Sequence, residues 1–351
     1  MTIDYDKLLY RNQFVLGPAY IERLEDWQKI KVNPAMHLTA HPDLNIYQAA
    51  HENKSLTLIG FILDPDNPLH SNADIVNALM SKLSEADEFF PHTDTYGGRW
   101  VLIVNDGKQT TLFTDAVGLR QVFYSNAVRT DHLWCASQPG MIADRLGLEM
   151  EPEGVKFIDS YEFRKNPEFR WPADSSPYRD IKHLLPNHFL DLHTGQCKRY
   201  WPHAPLPDLS LDEGISRTSA TLRGLMKSAS NRFDLSLSLT AGLDSRVVLA
   251  ASKEIKDTAS YMTVRQIRMP DDYADITVPS ALLSKLGFKH DVVKSSLVID
   301  DKFIEVFKKN VPIPHYVYAP DAHAILKYYA QKKVAVTGGT SEVSRSSFRG
   351  L

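Results

Sequence analysis

The sequence is poor in cysteine. Only Cys135 and Cys197 occur among 351 residues, too far apart for a CxxC pair and too few for a disulfide framework. Such usage fits a reducing cytosol, and the expected location is cytoplasmic. Long hydrophobic runs are missing too. No stretch approaches the ~20 apolar residues of a membrane-spanning helix, and no membrane partner is expected. The opening MTIDYDKLLYRNQF is charged and lacks the apolar stretch of a secretory leader. Nor is there an excess of positive charge. The 40 Lys and Arg face 43 Asp and Glu, a net charge of -3. That leaves no broad pull toward nucleic acid or anionic lipid, and no nucleic-acid partner is expected. No Gly-Lys-Ser/Thr ending marks a Walker-type phosphate loop. Internal repeats and low-complexity tracts are absent as well.

What remains is an ordinary globular composition, 43% hydrophobic and 24% charged, in a chain long enough for two domains. Residues 1 to about 150 read mainly as strands, at 13–16, 44–48, 56–62, 100–105, 110–114 and 122–124. Asn105-Asp106-Gly107 forms a hairpin turn between two of them, and a helix fits 73–86. Residues 165–207 are punctuated by prolines and read as a connection. His183, His188 and His193 within it lack metal-ligand spacing, and no metal is assigned there. From Leu211 the pattern changes. Leu211, Ile215, Ser219, Leu222, Met226 and Ala229 mark one helix face. Strands follow at 235–240, 261–264, 290–293 and 334–337, alternating with helices at 273–286, 300–308 and 321–331. Pro279 should bend the first of those helices. Alternation of this kind implies a parallel sheet with helices on both faces. Ligands of such sheets sit at the carboxyl ends of the strands, here Thr240, Val264 and Thr337.

The most informative stretch is LSLSLTAGLDSRVVLA, 235–250. Leu235, Leu237 and Leu239 alternate with Ser236, Ser238 and Thr240, then a small-residue turn leads into a helix. The first amides of a helix lack intrahelical partners and favour an anion. Small residues let backbone approach a phosphate. Asp244 can hold magnesium over phosphate oxygens, and Ser245 adds a hydroxyl. The plainer alternative is a strand-to-helix turn capped by Asp244 and Ser245.

The string TAGLDSR, 240–246, resembles SGGLDSS, the PP-loop of the asparagine synthetase and beta-lactam synthetase group of ATP pyrophosphatases. Gly242, Leu243, Asp244 and Ser245 match outright, Thr240 and Ala241 stand for Ser and Gly, and Arg246 departs. A second stretch, 97–125, resembles the GxFAxxxxD…LxxaRDxxGxxPLYY region of class II glutamine amidotransferase domains, with Asp115, Gly118, Phe123 and Tyr124 on its landmarks. A third, TGGTSEVSR at 337–345, resembles the SGEGADE loop.

The resemblance implies an α/β chain in three parts. Residues 1–164 are a degenerate amidotransferase-like domain, an Ntn-type αββα antiparallel sandwich. Residues 165–207 are the connection with a short hairpin. Residues 208–351 are a parallel-sheet PP-loop domain of the adenine nucleotide alpha hydrolase type, short of the C-terminal helices that carry a lysine near the adenylate. It implies ATP and magnesium as cofactors. Leu239, Val264, Thr337 and Gly338 would line the nucleotide, with Thr240, Ala241, Gly242, Leu243, Asp244 and Ser245 around the diphosphate. Asp244 and Glu342 would act as metal ligands and catalytic carboxylates. Arg345 departs from the pattern, and an ordinary Glu342–Arg345 ion pair is the plainer alternative. The implied reaction is carboxylate adenylation with pyrophosphate release, then attack by an amine or ammonia. The catalytic cysteine of the amidotransferase domains is missing, and their amine-holding aspartate falls on Gly97. Thr2 is expected not to replace the cysteine, because about ten polar residues separate it from the first strand. The alternative is an inactive paralogue that binds a nucleotide or a partner. A tRNA-modifying PP-loop enzyme is disfavoured by charge and cysteine usage. The expected assembly is a homodimer or a pairing with a chain that supplies the missing helices.

Overall fold

The computed structural model describes residues 3–85, 88–125, 132–160, 171–311, 313–330 and 333–339. The first part holds β1 (Phe14–Gly17), β2 (Gln28–Asn33), β3 (Met36–Ala40), β4 (Ile46–His51), β5 (Lys54–Leu63) and α1 (Asn72–Glu85). It continues through β6 (Gly97–Asn105), β7 (Thr110–Thr114), β8 (Phe123–Ser125), β9 (Cys135–Ala136), α2 (Pro139–Leu146) and α3 (Pro152–Asp159). The strands β10 (Ile181–His183), β11 (His188–Asp191) and β12 (Cys197–Arg199) complete two antiparallel sheets of six strands each. Their orders are β10-β8-β9-β1-β3-β2 and β12-β11-β7-β6-β5-β4.

These sheets pack face to face with helices outside. The near-continuous apolar runs of β5 and β6 follow from this, because a strand covered on both faces needs apolar residues at every position. On β6, Val101 and Ile103 point into the core shared with Phe14, Leu16 and Leu38 of the other sheet. Trp100, Leu102 and Val104 point the other way, onto Ile75, Val76, Leu79 and Leu83 of α1. On the far side, Val15, Phe123 and Ala136 pack against Met141 and Ile142 of α2. The layering is therefore helix, sheet, sheet, helix.

The second part holds α4 (Leu211–Ser230), β13 (Leu235–Ser238), α5 (Leu243–Ala251), β14 (Ser260–Arg265), α6 (Ala274–Leu286), β15 (His290–Lys294), α7 (Asp301–Asn310), α8 (Ala319–Tyr329) and β16 (Val334–Val336). Its four strands are parallel, in the order β15-β14-β13-β16. Leu235, Leu237 and Leu239 pack with Leu249 of α5 and Leu283 of α6. Ser236, between them, bonds Tyr329 of α8 on the opposite face (Oγ to Oη, 3.1 Å). Helices thus cover both faces. Among the described residues no helix is long and apolar enough to cross a membrane.

Several sequence expectations shift. The strands β2 and β3 were not anticipated, because QKIKVN and MHLTA show little apolar alternation. The single helix face marked from Leu211 to Ala229 is only half used. Leu222, Met226 and Ala229 enter the core, while Leu211 and Ile215 are 78% and 56% exposed, because the first turns of α4 run past the sheet. Ser210 caps that free end in a full capping box with Glu213. Thr2, Glu342 and Arg345 lie outside the described residues.

Two joints tie the parts together. At one, α4 lies against the end of β5. A Cβ on Gly224 would stand 2.1 Å from the Pro65 carbonyl oxygen, and one on Gly97 would stand 2.6 Å from Leu225 Cδ2. The Arg232 guanidinium donates to the Ile62 carbonyl and to Asn72 Oδ1. At the other, the N-terminal segment lies along α7. Tyr5 donates to Asp300, and Asn310 holds both Tyr10 N–H and the Leu8 carbonyl.

Candidate functional site at the carboxyl ends of the parallel strands

The chain leaves β13 at Ser238, and Leu239 is still buried. Its N–H donates to the Met262 carbonyl (2.8 Å), and its carbonyl accepts from Thr263 Oγ1 (2.8 Å). Thr263 also meets His290 Nε2 (2.8 Å), and His290 Nδ1 meets Ser280 Oγ (2.8 Å). Burial lowers the His290 pKa, which favours the neutral ring. Thr263 gives its hydroxyl proton to the Leu239 carbonyl and so accepts from His290 Nε2, while the Ser280 hydroxyl also donates to the Ile276 carbonyl (2.7 Å). This chain of side chains fixes the backbone on which the next loop begins.

The loop closes on itself. Thr240 N–H donates to Ser245 Oγ (3.1 Å), and Gly242 N–H donates to Thr240 Oγ1 (3.2 Å). The buried Ser245 hydroxyl faces the carbonyls of Thr240 (3.1 Å) and Gly242 (3.2 Å). Ala241 N–H donates to Asp275 Oδ1 (2.8 Å), a carboxylate from the first turn of α6. Gly242 is the N-cap of α5 and offers no side chain to the amides of the first turn. Leu243 is 66% exposed, and Asp244 is half-buried. Arg246, the departure from the PP-loop string, turns back to the Gly242 carbonyl (Nε, 3.2 Å).

The strand β16 pairs with β13 in the register Leu237 to Val336, and Thr337 and Gly338 follow directly. A Cβ on Gly338 would stand 2.8 Å from the Asp244 carbonyl carbon and 2.9 Å from Ser245 N. Only a glycine admits that approach. Two stretches singled out separately, 239–245 and 337–338, thus meet at one sheet edge, with Val264 next to Thr263 at the end of β14. Backbone amides, hydroxyls and the Asp244 carboxylate are ligands for phosphate and for a hard cation. Among the described residues no group of three or more His, Cys, Asp or Glu stands ready for a metal.

Sequence reasoning missed Thr263, His290, Ser280 and Asp275. The only signal for Asp275 was an acidic residue opening the helix after β14, which reads equally as dipole compensation. His290 opens a strand and carries no local signature. The connection histidines serve other ends. His183 stacks on Phe123 (4.8 Å between ring centres), and His188 Nδ1 meets the Pro186 carbonyl (2.9 Å).

No protein-family model matches the chain. No curated protein matches it either. Among solved structures, it is similar to one described as the allosteric regulatory enzyme of purine biosynthesis, at 11% identity and a TM-score of 0.34, covering 95% of this chain and 77% of that one. It is also similar to glutamine phosphoribosylpyrophosphate amidotransferase from B. subtilis in complex with ADP and GMP, at 11% identity and a TM-score of 0.33, with the same coverages of 95% and 77%. Overlaps that loose assign neither a fold family nor an activity.

Proposed function

We propose that the chain is an asparagine synthetase-like, ATP-dependent amide-forming ligase without glutaminase activity. The observation that carries this reading is the seating of Gly338 on the first turn of α5, which brings 239–245 and 337–338 together at the carboxyl ends of β13 and β16. In this reading Leu239 and Val264 lie beside the adenine, Thr337 and Gly338 border the nucleotide, and loop 240–245 receives the departing diphosphate. Asp244, with Glu342, would hold magnesium, and the ion would supply charge neutralisation for the departing pyrophosphate. A substrate carboxylate attacks the α-phosphate and expels pyrophosphate, giving an acyl-adenylate, and an amine or free ammonia then takes the acyl group as AMP and a proton leave.

The helix, sheet, sheet, helix layering supports an amidotransferase-like ancestry for the first part. Its landmark Asp115 holds a turn rather than a substrate. It is 2% exposed and accepts from the N–H groups of Leu119 (2.8 Å), Arg120 (3.0 Å) and Trp100 (3.3 Å). Where the amidotransferases place an amine-holding aspartate, Gly97 packs under Leu225 of α4. Both features favour a scaffold that has lost glutamine hydrolysis.

Pyrophosphate release from ATP and magnesium, screened over small carboxylates with ammonium or amines, tests the proposal. Release that Asp244→Ala abolishes supports it. ATP binding without release on any substrate supports the second reading, a nucleotide- or partner-binding protein, which Arg246 favours by closing back on the loop. Absence of ATP binding removes the ligase and the nucleotide-binding protein and leaves the partner-binding scaffold alone.

A further inference from the structure

Among the loop amides 240 to 242, two are satisfied from within the loop, by Ser245 and Thr240. Ala241 N–H is instead held at 2.8 Å by Asp275, an anionic side chain from another element. An N–H to carboxylate bond is charge-assisted and about twice as strong as a neutral one. The element that presents Asp275 is well anchored. Ile276, Pro279 and Leu283 of α6 are buried, and Ser280 bonds His290. The Asp275 side chain is half-exposed, so rotation about its own bonds frees it without moving the helix.

We infer that Asp275 is a resident stand-in for phosphate, occupying the Ala241 amide until an incoming nucleotide diphosphate expels it. This rests on the reading of loop 239–245 as a diphosphate cradle. Three consequences follow. Free protein keeps the loop closed, because its donors are satisfied. Binding forfeits one charge-assisted bond and brings like charges together. The magnesium complex is therefore favoured over the bare nucleotide, since the metal offsets part of that repulsion.

Titration calorimetry of the full chain with pyrophosphate, then ATP, each with and without magnesium, tests this on the wild type and on Asp275→Asn. The variant removes the charge and keeps the shape. It should bind pyrophosphate roughly three- to tenfold more tightly, the worth of one such bond traded for a neutral one. Equal or weaker binding overturns the inference. Weaker binding only with magnesium present assigns Asp275 to the metal and overturns it as well. In the wild type, saturating magnesium pyrophosphate should shift the Asp275 carboxyl carbon resonance, a readout that does not depend on the variant folding. An unmoved resonance overturns the inference while leaving the nucleotide reading intact. Failure of both proteins to bind either ligand removes that reading, and this inference with it.

Discussion

In the sandwich, both faces of the central strands are covered, and Leu58, Ile59, Leu102 and Phe113 are fully buried. In the parallel sheet, β16 stands at an edge, and Val334 on it is 37% exposed. Polar groups follow the same division. Those of the sandwich fasten turns and joints, as Asp115 and Asn72 do. In the parallel unit one connected set, from Thr240 and Ser245 through Thr263 and His290 to Asp275, gathers around the loop after β13. The sandwich has the more fully covered core, and the parallel unit carries the polar strand ends. Stability and activity should therefore respond to different substitutions.

The largest expected effect is on the sandwich core. Leu102→Ala should cost about 2–5 kcal/mol in urea unfolding, because a fully buried side chain leaves a cavity. The matching change on the open side, Leu243→Ala, should stay within about 0.5 kcal/mol, since Leu243 is 66% exposed. Equal costs would break the comparison. Next is Gly97→Asp, which restores the aspartate of the amidotransferase pattern. It should destabilise by about 1–3 kcal/mol through overpacking against Leu225, and no glutamine hydrolysis should appear in an ammonia-release assay. Ser245→Ala should cost about 1–2 kcal/mol in the same unfolding assay and weaken ATP binding, because Thr240 N–H loses its acceptor.

The smallest effects are those of pH. Burial lowers the pKa of His290, His183 and His41, so their unfolded forms bind more protons near neutrality. Stability should then fall as pH drops below the ordinary histidine range, near 6.5. His290→Gln should flatten part of that slope in calorimetric melts. Asp300 moves the other way. The Tyr5 hydroxyl, then His323 and Lys327, hold its pKa down at about 2. Its contribution is present above the ordinary carboxylate range and fades as pH falls toward about 2. Tyr5→Phe should weaken that acid-limb dependence, leaving the part due to His323 and Lys327.

Much of this architecture was legible because periodicity and punctuation agree. TTLFT was bounded correctly as β7, and the NDG turn lies between β6 and β7, with Asp106 N–H bonded to the Gln109 carbonyl. The helix read at 73–86 is α1, shifted by one residue at each end. What escaped was set by tertiary partners. Nothing local says that α4 turns only its second half to a core, or that Leu225 fills the space over Gly97. The candidate site was legible where the chain contributes consecutive residues, 239 to 245. It was illegible where distant residues converge, as Asp275 and His290 do. A single sequence shows spacing along a chain and not proximity across a sheet.

The Asn310 clamp bears on how the chain acquires its form during synthesis. Residue 310 grips Leu8 and Tyr10, so the segment before β1 is fastened by a residue about 300 positions further along the chain. Nascent chains gain structure from the amino end as they emerge. The segment before β1 therefore gains its bonds to Asn310 only once α7 has been made, while Arg11 can already reach Asp43.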